Sequence, residues 1–280
     1  MENKEILKRV REHYDYALKY FNDDENRIFG VFLVGSQNYG LAEESSDVDT
    51  KIVVVPSIDD WAQNKQPIST TLKVPVGEDN YEQTTIVDFR LWIDQLRKGN
   101  INSLETLFTP YHEINAFYAY EMHLLWQWKE EIAHMNAEKV LNATFGMLHN
   151  NAKYILRETE DTQRLFEKYG YNPKKLMGLF RVLSTVEKYI EGKDFAECLD
   201  CSRQRSGLLA IKHGKYNRAQ VEVIAATLCQ EAYDLEAWFN GNKGAYLYED
   251  KEKEMVDKLN KWRRDLLITA YRMEVWDSEN

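Results

Sequence analysis

The sequence predicts an α+β fold, in which a small mixed sheet in the N-terminal part is followed by an all-helical C-terminal part. Three observations carry this. Apolar runs rich in branched and aromatic residues, which read as strands, all lie before residue 90. From Arg90 onward the spacing of apolar residues is helical. At 280 residues, with 44% hydrophobic residues, the chain is long enough for two domains, expected at 1–112 and 113–280.

Residues 4–20 place Ile6, Val10, Tyr14, Ala17 and Leu18 at helical spacing, which predicts an amphipathic helix. The run 28–34 (IFGVFLV) stops at Gly35-Ser36 and reads as a strand ending in a turn. Residues 48–55 (VDTKIVVV) give a second strand, closed by Pro56. A loop containing Pro67, Pro75 and Gly77 then leads to a third strand at 82–89 (EQTTIVDF). Past it, Leu91, Ile93 and Leu96 follow the helical period, Gly99-Asn100 stops that helix, and a short one spans 102–108 before Pro110. Beyond this point no strand is expected. Segments 115–135, 138–160, 173–191, 217–240 and 250–272 read as helices with apolar stripes and i,i+4 charge pairs.

Composition bounds the function class. Seven Trp, 17 Tyr and 11 Phe supply enough large apolar volume to offset chain entropy without covalent staples. The three cysteines are an odd number in a long chain, which argues against a disulfide framework and for a reducing compartment. Cys198 and Cys201 form a lone C-x-x-C, and neither Cys229 nor His213 completes a second ligand pair, so buried structural thiols are expected rather than zinc. The first eleven residues are charged throughout and no apolar run reaches membrane-span length, so a cytoplasmic protein with no membrane partner is expected.

The net charge of −10 argues against a nonspecific polyanion binder, and it is unevenly spread. Residues 1–110 hold 12 Lys and Arg against 19 Asp and Glu, a net −7, which leaves −3 for the remainder. Between Cys201 and Val221 there is no acid, while Arg203, Arg205, Lys212, Lys215 and Arg218 are basic. With Gly207, Gly214 and Tyr216 interleaved, that interval reads as a loop facing a nucleic-acid backbone.

The segment 34–55 carries the chemistry. Asp47 and Asp49, one residue apart on a strand, point to the same face because strand side chains alternate with period two. Their mutual repulsion calls for a cation, and hard carboxylate oxygens suit Mg²⁺ or Mn²⁺. Asp88, flanked by Ile86, Val87 and Phe89, is a third acid in a strand setting; if its strand lies beside the first, three carboxylates converge as two-ion phosphoryl transfer requires. Gly35-Ser36 supplies a tight turn whose N–H groups, with the serine hydroxyl and the N-terminus of a following helix, would approach a triphosphate.

A glycine-serine turn followed eleven residues later by D-x-D, with an isolated aspartate on a later apolar strand, resembles the nucleotidyltransferase signature of the DNA polymerase β superfamily. More narrowly, GSQNYGL…SSDVD, LRKGNINSLETL and NPKKLMGLFRVL look like the nucleotidyltransferases of bacteria and phages associated with RNA ligase and RNA repair. The resemblance implies that Gly35 and Ser36 bind NTP phosphates, that Asp47, Asp49 and Asp88 hold two Mg²⁺ or Mn²⁺ ions, and that Asp88 assists deprotonation of the acceptor. It also implies a helix, strand, turn, helix, strand core.

Other candidates are weighed against plain packing. In residues 172–183, Pro173 suits the first turn of a helix on which Lys174, Lys175 and Arg181 share a side; Lys175 and Arg181 are the candidates for holding triphosphate or pyrophosphate, against an ordinary solvated basic face. Tyr39 suits stacking on a base or sugar as well as it suits packing. The aromatics of 111–128 and the histidines 112, 123, 134 and 149 are expected to be structural. The leading expectation is transfer of a nucleoside monophosphate from an NTP to a hydroxyl at an RNA end. A protein side chain or an aminoglycoside-type small molecule is the alternative acceptor, and a nucleotide-binding module without turnover is the alternative class.

Overall fold

α1 (Asn3–Tyr20) opens the chain in the computed structural model, which describes residues 2–22, 24–44, 46–76, 80–246 and 249–279. Gly77 lies outside the described residues. There follow β1 (Ile28–Val34), β2 (Asp49–Val54), α2 (Ile58–Ala62), β3 (Ser69–Pro75), β4 (Tyr81–Asp88), α3 (Phe89–Arg97), α4 (Ile101–Leu104), β5 (His112–Ile114) and α5 (Ala119–His134). The helical remainder comprises α6 (Ala137–Ile155), α7 (Gln163–Tyr169), α8 (Pro173–Ile190), α9 (Phe195–Leu199), α10 (Arg205–Lys212), α11 (Arg218–Asn242) and α12 (Glu249–Glu279). The fold is α+β, as the sequence predicts. Among the described residues no helix is long and apolar enough to cross a membrane.

The described strands form one mixed sheet in the order β3-β4-β2-β1-β5. β1 and β2 are antiparallel, with Val34 opposite Asp49 and Ile28 opposite Val54. β2 and β4 are parallel, with Thr50 opposite Thr84 and Val54 opposite Asp88. α1 covers one face: Ile6, Val10, Tyr14 and Ala17 are buried with Val31, Leu33, Val48, Ile52, Val54 and Ile86. Each fully buried aliphatic side chain there contributes about 1.5–3 kcal/mol, which fixes the helix against the sheet. The register that buries these residues also brings Asp49 to the end of β1.

Two strands, β3 and β5, and four short helices, α2, α7, α9 and α10, are additions to the sequence reading. β3 (STTLKVP) is a largely exposed edge strand paired with β4, and Pro67 before it and Pro75 at its end are signals of a loop in the sequence. β5 is three residues long and exists because β1 offers it a partner, Gly30 to Ile114 and Phe32 to His112. α2 is a single turn held by the Ser57–Asp60 capping box.

Contacts divide the chain into two compact units, one of residues 1–38, 42–135 and 248–280, the other of 39–41 and 136–247. The division therefore falls at 135/136 rather than at 112/113, and α12 joins the sheet-bearing unit. Within that unit Phe29 meets Trp92, Tyr118 and Trp262 at 5.7–5.8 Å between ring centres, and Phe32 stacks on Trp92 at 5.7 Å. Trp262 of α12 also donates its Nε1–H to the Glu121 carbonyl at 2.8 Å. Aromatic burial thus recruits the C-terminal helix. In the other unit α8 packs on α6, α9 and α10, with Leu176, Leu179, Val182 and Val186 buried.

Candidate active site

β1 leaves the sheet at Gly35, whose φ of +88° places it in the left-handed region that glycine adopts without steric cost. Residues 36–40 then run as turns, ending on Gly40 at φ +70°. The helix expected after Gly35-Ser36 is not formed. Asn38 holds the turn instead: its N–H donates to the Gly35 carbonyl at 3.0 Å and its side chain donates to the Leu33 carbonyl at 2.9 Å. Thr109 donates to Asn38 Oδ1 at 2.7 Å and secures it from outside. Donors for an anion at this point come from turn backbone and the Ser36 hydroxyl, not from a helix end.

Asp49 opens β2 directly opposite Val34, the last residue of β1. A β-carbon placed on Gly35 would lie 3.9 Å from Asp49 Oδ2, so carboxylate and turn are neighbours. Burial and the charge of Asp47 push the Asp49 carboxyl above its ordinary range, against a hydrogen bond from the Gln83 backbone N–H. Asp47 is exposed and lines an open cleft of about 360 Å³ together with Arg9, Glu44, Ser46 and Glu82.

Asp88 does not join them. It pairs with Val54, at the opposite end of β2 from Asp49. Five residues of strand separate the two levels, about 16 Å at the usual rise. Asp88 is buried at the N-terminus of α3, where Oδ1 accepts the Arg90 N–H at 2.8 Å and the carboxylate accepts the Arg90 guanidinium through two bonds of 2.8 and 2.6 Å. A parallel neighbour strand brings like ends together, so an acid at the C-terminal end of β4 lies away from one at the N-terminal end of β2. Asp88 is a helix cap and an ion-pair partner, and the expected convergence of three carboxylates fails at this residue.

This changes the fit to a metal. Asp47 and Asp49 are a pair of hard oxygen donors, near enough that the Asp47 charge adds to burial in raising the Asp49 carboxyl, and they suit one Mg²⁺ or Mn²⁺ ion. Among the described residues no group of three or more His, Cys, Asp and Glu is arranged to hold an ion. The ligand expected to hold a second ion beside the acceptor is therefore not present at Asp88.

Three buried residues that the sequence reading passed over lie on, or are bonded to, the strands beside the pair. Glu82, at the N-terminal end of β4, is 3% exposed and accepts the Val48 N–H at 2.6 Å, Arg9 at 2.9 Å and the His13 Nε2 at 3.1 Å. Burial raises its carboxyl, but the bonds from His13 and Val48 and the Arg9 charge outweigh that and hold it below its ordinary range. His13 is fully buried on the apolar face of α1 and reaches Thr50 at 2.8 Å through Nδ1. Lys51, also on β2, donates to the Asn102 carbonyl at 2.7 Å and to Ser103 Oγ at 3.0 Å, and burial lowers its amine to about 8. The LRKGNINSLETL motif is thus the seat of a buried lysine on the D-x-D strand. The legible signals were a histidine within the apolar stripe of 4–20 and a lysine within VDTKIVVV.

The remaining candidates lie in the helical unit. Tyr39 is buried, its carbonyl accepts the Cys201 N–H at 3.1 Å, and the Arg181 guanidinium sits 4.1 Å above its ring. Lys175 is in the first turn of α8, its N–H capped by Asn172 Oδ1 at 3.1 Å. The basic interval is not a loop: it holds α10 and the start of α11, with Leu208 and Ile211 buried. Arg203, Lys215 and Arg218 are exposed, and Arg205 and Lys212 half-buried; Arg218 pairs with Glu222 at 3.2 Å. Cys198 and Cys201 are buried free thiols directed at backbone carbonyls, and burial raises the Cys201 thiol.

A helix-backed mixed sheet, with a glycine-serine turn ending one strand and D-x-D beginning its antiparallel neighbour, is the arrangement of a polymerase-β-like nucleotidyltransferase. No curated protein matches the chain. The chain belongs to the RlaP family, the RNA repair pathway DNA polymerase beta family, whose model matches residues 7–265.

Proposed function

We propose that the protein transfers a nucleoside monophosphate from an NTP to a hydroxyl at an RNA end and releases pyrophosphate. One observation carries the reading: the Asp49 carboxylate lies against the left-handed turn at Gly35, with Asp47 two residues away at the rim of an open cleft. In this reading the N–H groups of the Gly35-Ser36 turn and the Ser36 hydroxyl bind the NTP phosphates, because residue 35 has no side chain to keep them at a distance. Asp47 and Asp49 hold Mg²⁺ or Mn²⁺, which when bound neutralises phosphate charge and lowers the pKa of the attacking hydroxyl. The repulsion between the two carboxylates, which the ion would relieve, supports this assignment. An RNA acceptor is favoured by the family, whose description places it in an RNA repair pathway. Exposed Arg203 and Lys215, in an interval without acids, are the proposed phosphate contacts.

The test is to incubate the protein with each α-labelled NTP, Mg²⁺ or Mn²⁺, and a panel of RNA, protein and small-molecule acceptors. Label is expected in RNA with the wild type and in nothing with Asp47→Asn or Asp49→Asn. Label on another acceptor would overturn the RNA assignment, and undiminished transfer by both variants would overturn the site.

A further inference from the structure

β4 clasps the D-x-D segment at two consecutive residues. The Glu82 carboxylate accepts the N–H of Val48, the residue between the two aspartates, at 2.6 Å, and the Gln83 N–H donates to the Asp49 carboxylate. Val48 precedes β2, so the strand ladder does not hold its N–H. Glu82 is in turn held from α1 by Arg9 at 2.9 Å and His13 at 3.1 Å, and His13 is seated on Thr50, which donates to Thr84 at 2.7 Å. Every acceptor position used on Glu82 is therefore filled by a donor from α1 or from the aspartate segment itself. A buried carboxylate receiving three charge-assisted bonds is fixed in place, and it transmits that fixity to whatever it grips.

We infer that Glu82 is a positioning residue, one that sets the spacing of Asp47 and Asp49 for a divalent cation by gripping the backbone between them. The inference rests on the assignment of a cation to that pair. Its physical basis is that carboxylates already held at the separation an ion requires pay no ordering cost on binding. Glu82 itself is spent on Arg9, His13 and Val48 and does not serve as a ligand.

Reach and charge are separable here. Glu82→Gln keeps an oxygen that reaches Val48 and removes the charge. Glu82→Asp keeps the charge and withdraws it by one carbon, roughly 1.5 Å, beyond a hydrogen bond to Val48. Mn²⁺ affinity, measured by titration calorimetry well below each variant's melting temperature, is the readout, with Asp49→Asn as the reference. Positioning predicts that Glu82→Gln binds Mn²⁺ within about threefold of wild type and that Glu82→Asp weakens it about tenfold or more, a difference near 1.4 kcal/mol. The reverse order, or wild-type affinity in both, overturns the inference while the carboxylate site stands. Failure of the wild type to bind Mn²⁺, or binding unaffected by Asp49→Asn, overturns the site assignment and the inference with it.

Discussion

The Oδ2 atom of Asp49 lies 3.9 Å from the point that a β-carbon on residue 35 would occupy, and residue 35 has φ +88°. Two requirements therefore meet at one glycine, a left-handed backbone and an open approach to a carboxylate. Gly35→Ala should cost about 1–2 kcal/mol through the backbone alone, read in thermal or urea denaturation. Transfer of labelled nucleotide should fall at least tenfold, further than the stability loss accounts for. Wild-type transfer by this variant would show that the turn does not bind phosphate.

Burial, and after it the charge of Asp47, raises the Asp49 carboxyl. A raised folded-state value means that Asp49 stabilises the fold less as pH climbs through it, with the loss beginning above its ordinary pKa near 3.8. Mg²⁺ should reverse this at neutral pH, by about 2.7 kcal/mol at a hundredfold excess over its Kd, seen as a rise in melting temperature. Asp47→Asn should melt no lower than wild type in EDTA, and Mg²⁺ should no longer raise it. A Mg²⁺ shift of wild-type size in that variant would remove Asp47 from the ion site.

Asp88 caps α3 and chelates the Arg90 guanidinium, at the other end of β2 from Asp49. Asp88→Asn retains a capping oxygen but leaves Arg90 without its counter-charge, and it should destabilise the fold by about 3 kcal/mol in urea unfolding. Transfer per folded molecule should stay within about threefold of wild type at low temperature. Complete loss of transfer with the fold intact would return Asp88 to the chemistry.

Lys51 is buried with its amine lowered to about 8 from 10.5. In that interval the unfolded chain binds a proton that the folded one does not, so stability rises as pH increases from 8 toward 10.5. Between pH 8 and 9.5, below the range where tyrosines ionise, the gain should be about 1.5 kcal/mol in denaturant titrations. Lys51→Met should abolish that rise. A rise that persists in the methionine variant would place its source elsewhere.

How much of this was legible beforehand differs by element. α1, β1, β2 and the long helices α6, α8, α11 and α12 follow from apolar periodicity, and the pairing of Gly35-Ser36 with Asp47 and Asp49 follows from eleven residues of spacing and one antiparallel register. β3 and β5 were not legible, because an exposed edge strand and a three-residue strand take their stability from a neighbour and leave little local pattern.

By itself the sequence determined the fold class, the strand carrying D-x-D and the turn it faces, because side-chain period and glycine chemistry act locally along the chain. Only the tertiary structure decided which acid on β4 stands near that pair. Asp88 and Glu82 share one strand and one face, and the parallel register with β2 sends the first to a helix cap and the second to the backbone of Val48. A strand's own residues do not encode the level at which its neighbour pairs. That level is set by burial of Val48, Ile52, Val54 and Ile86 against α1, an interaction among segments far apart in the chain.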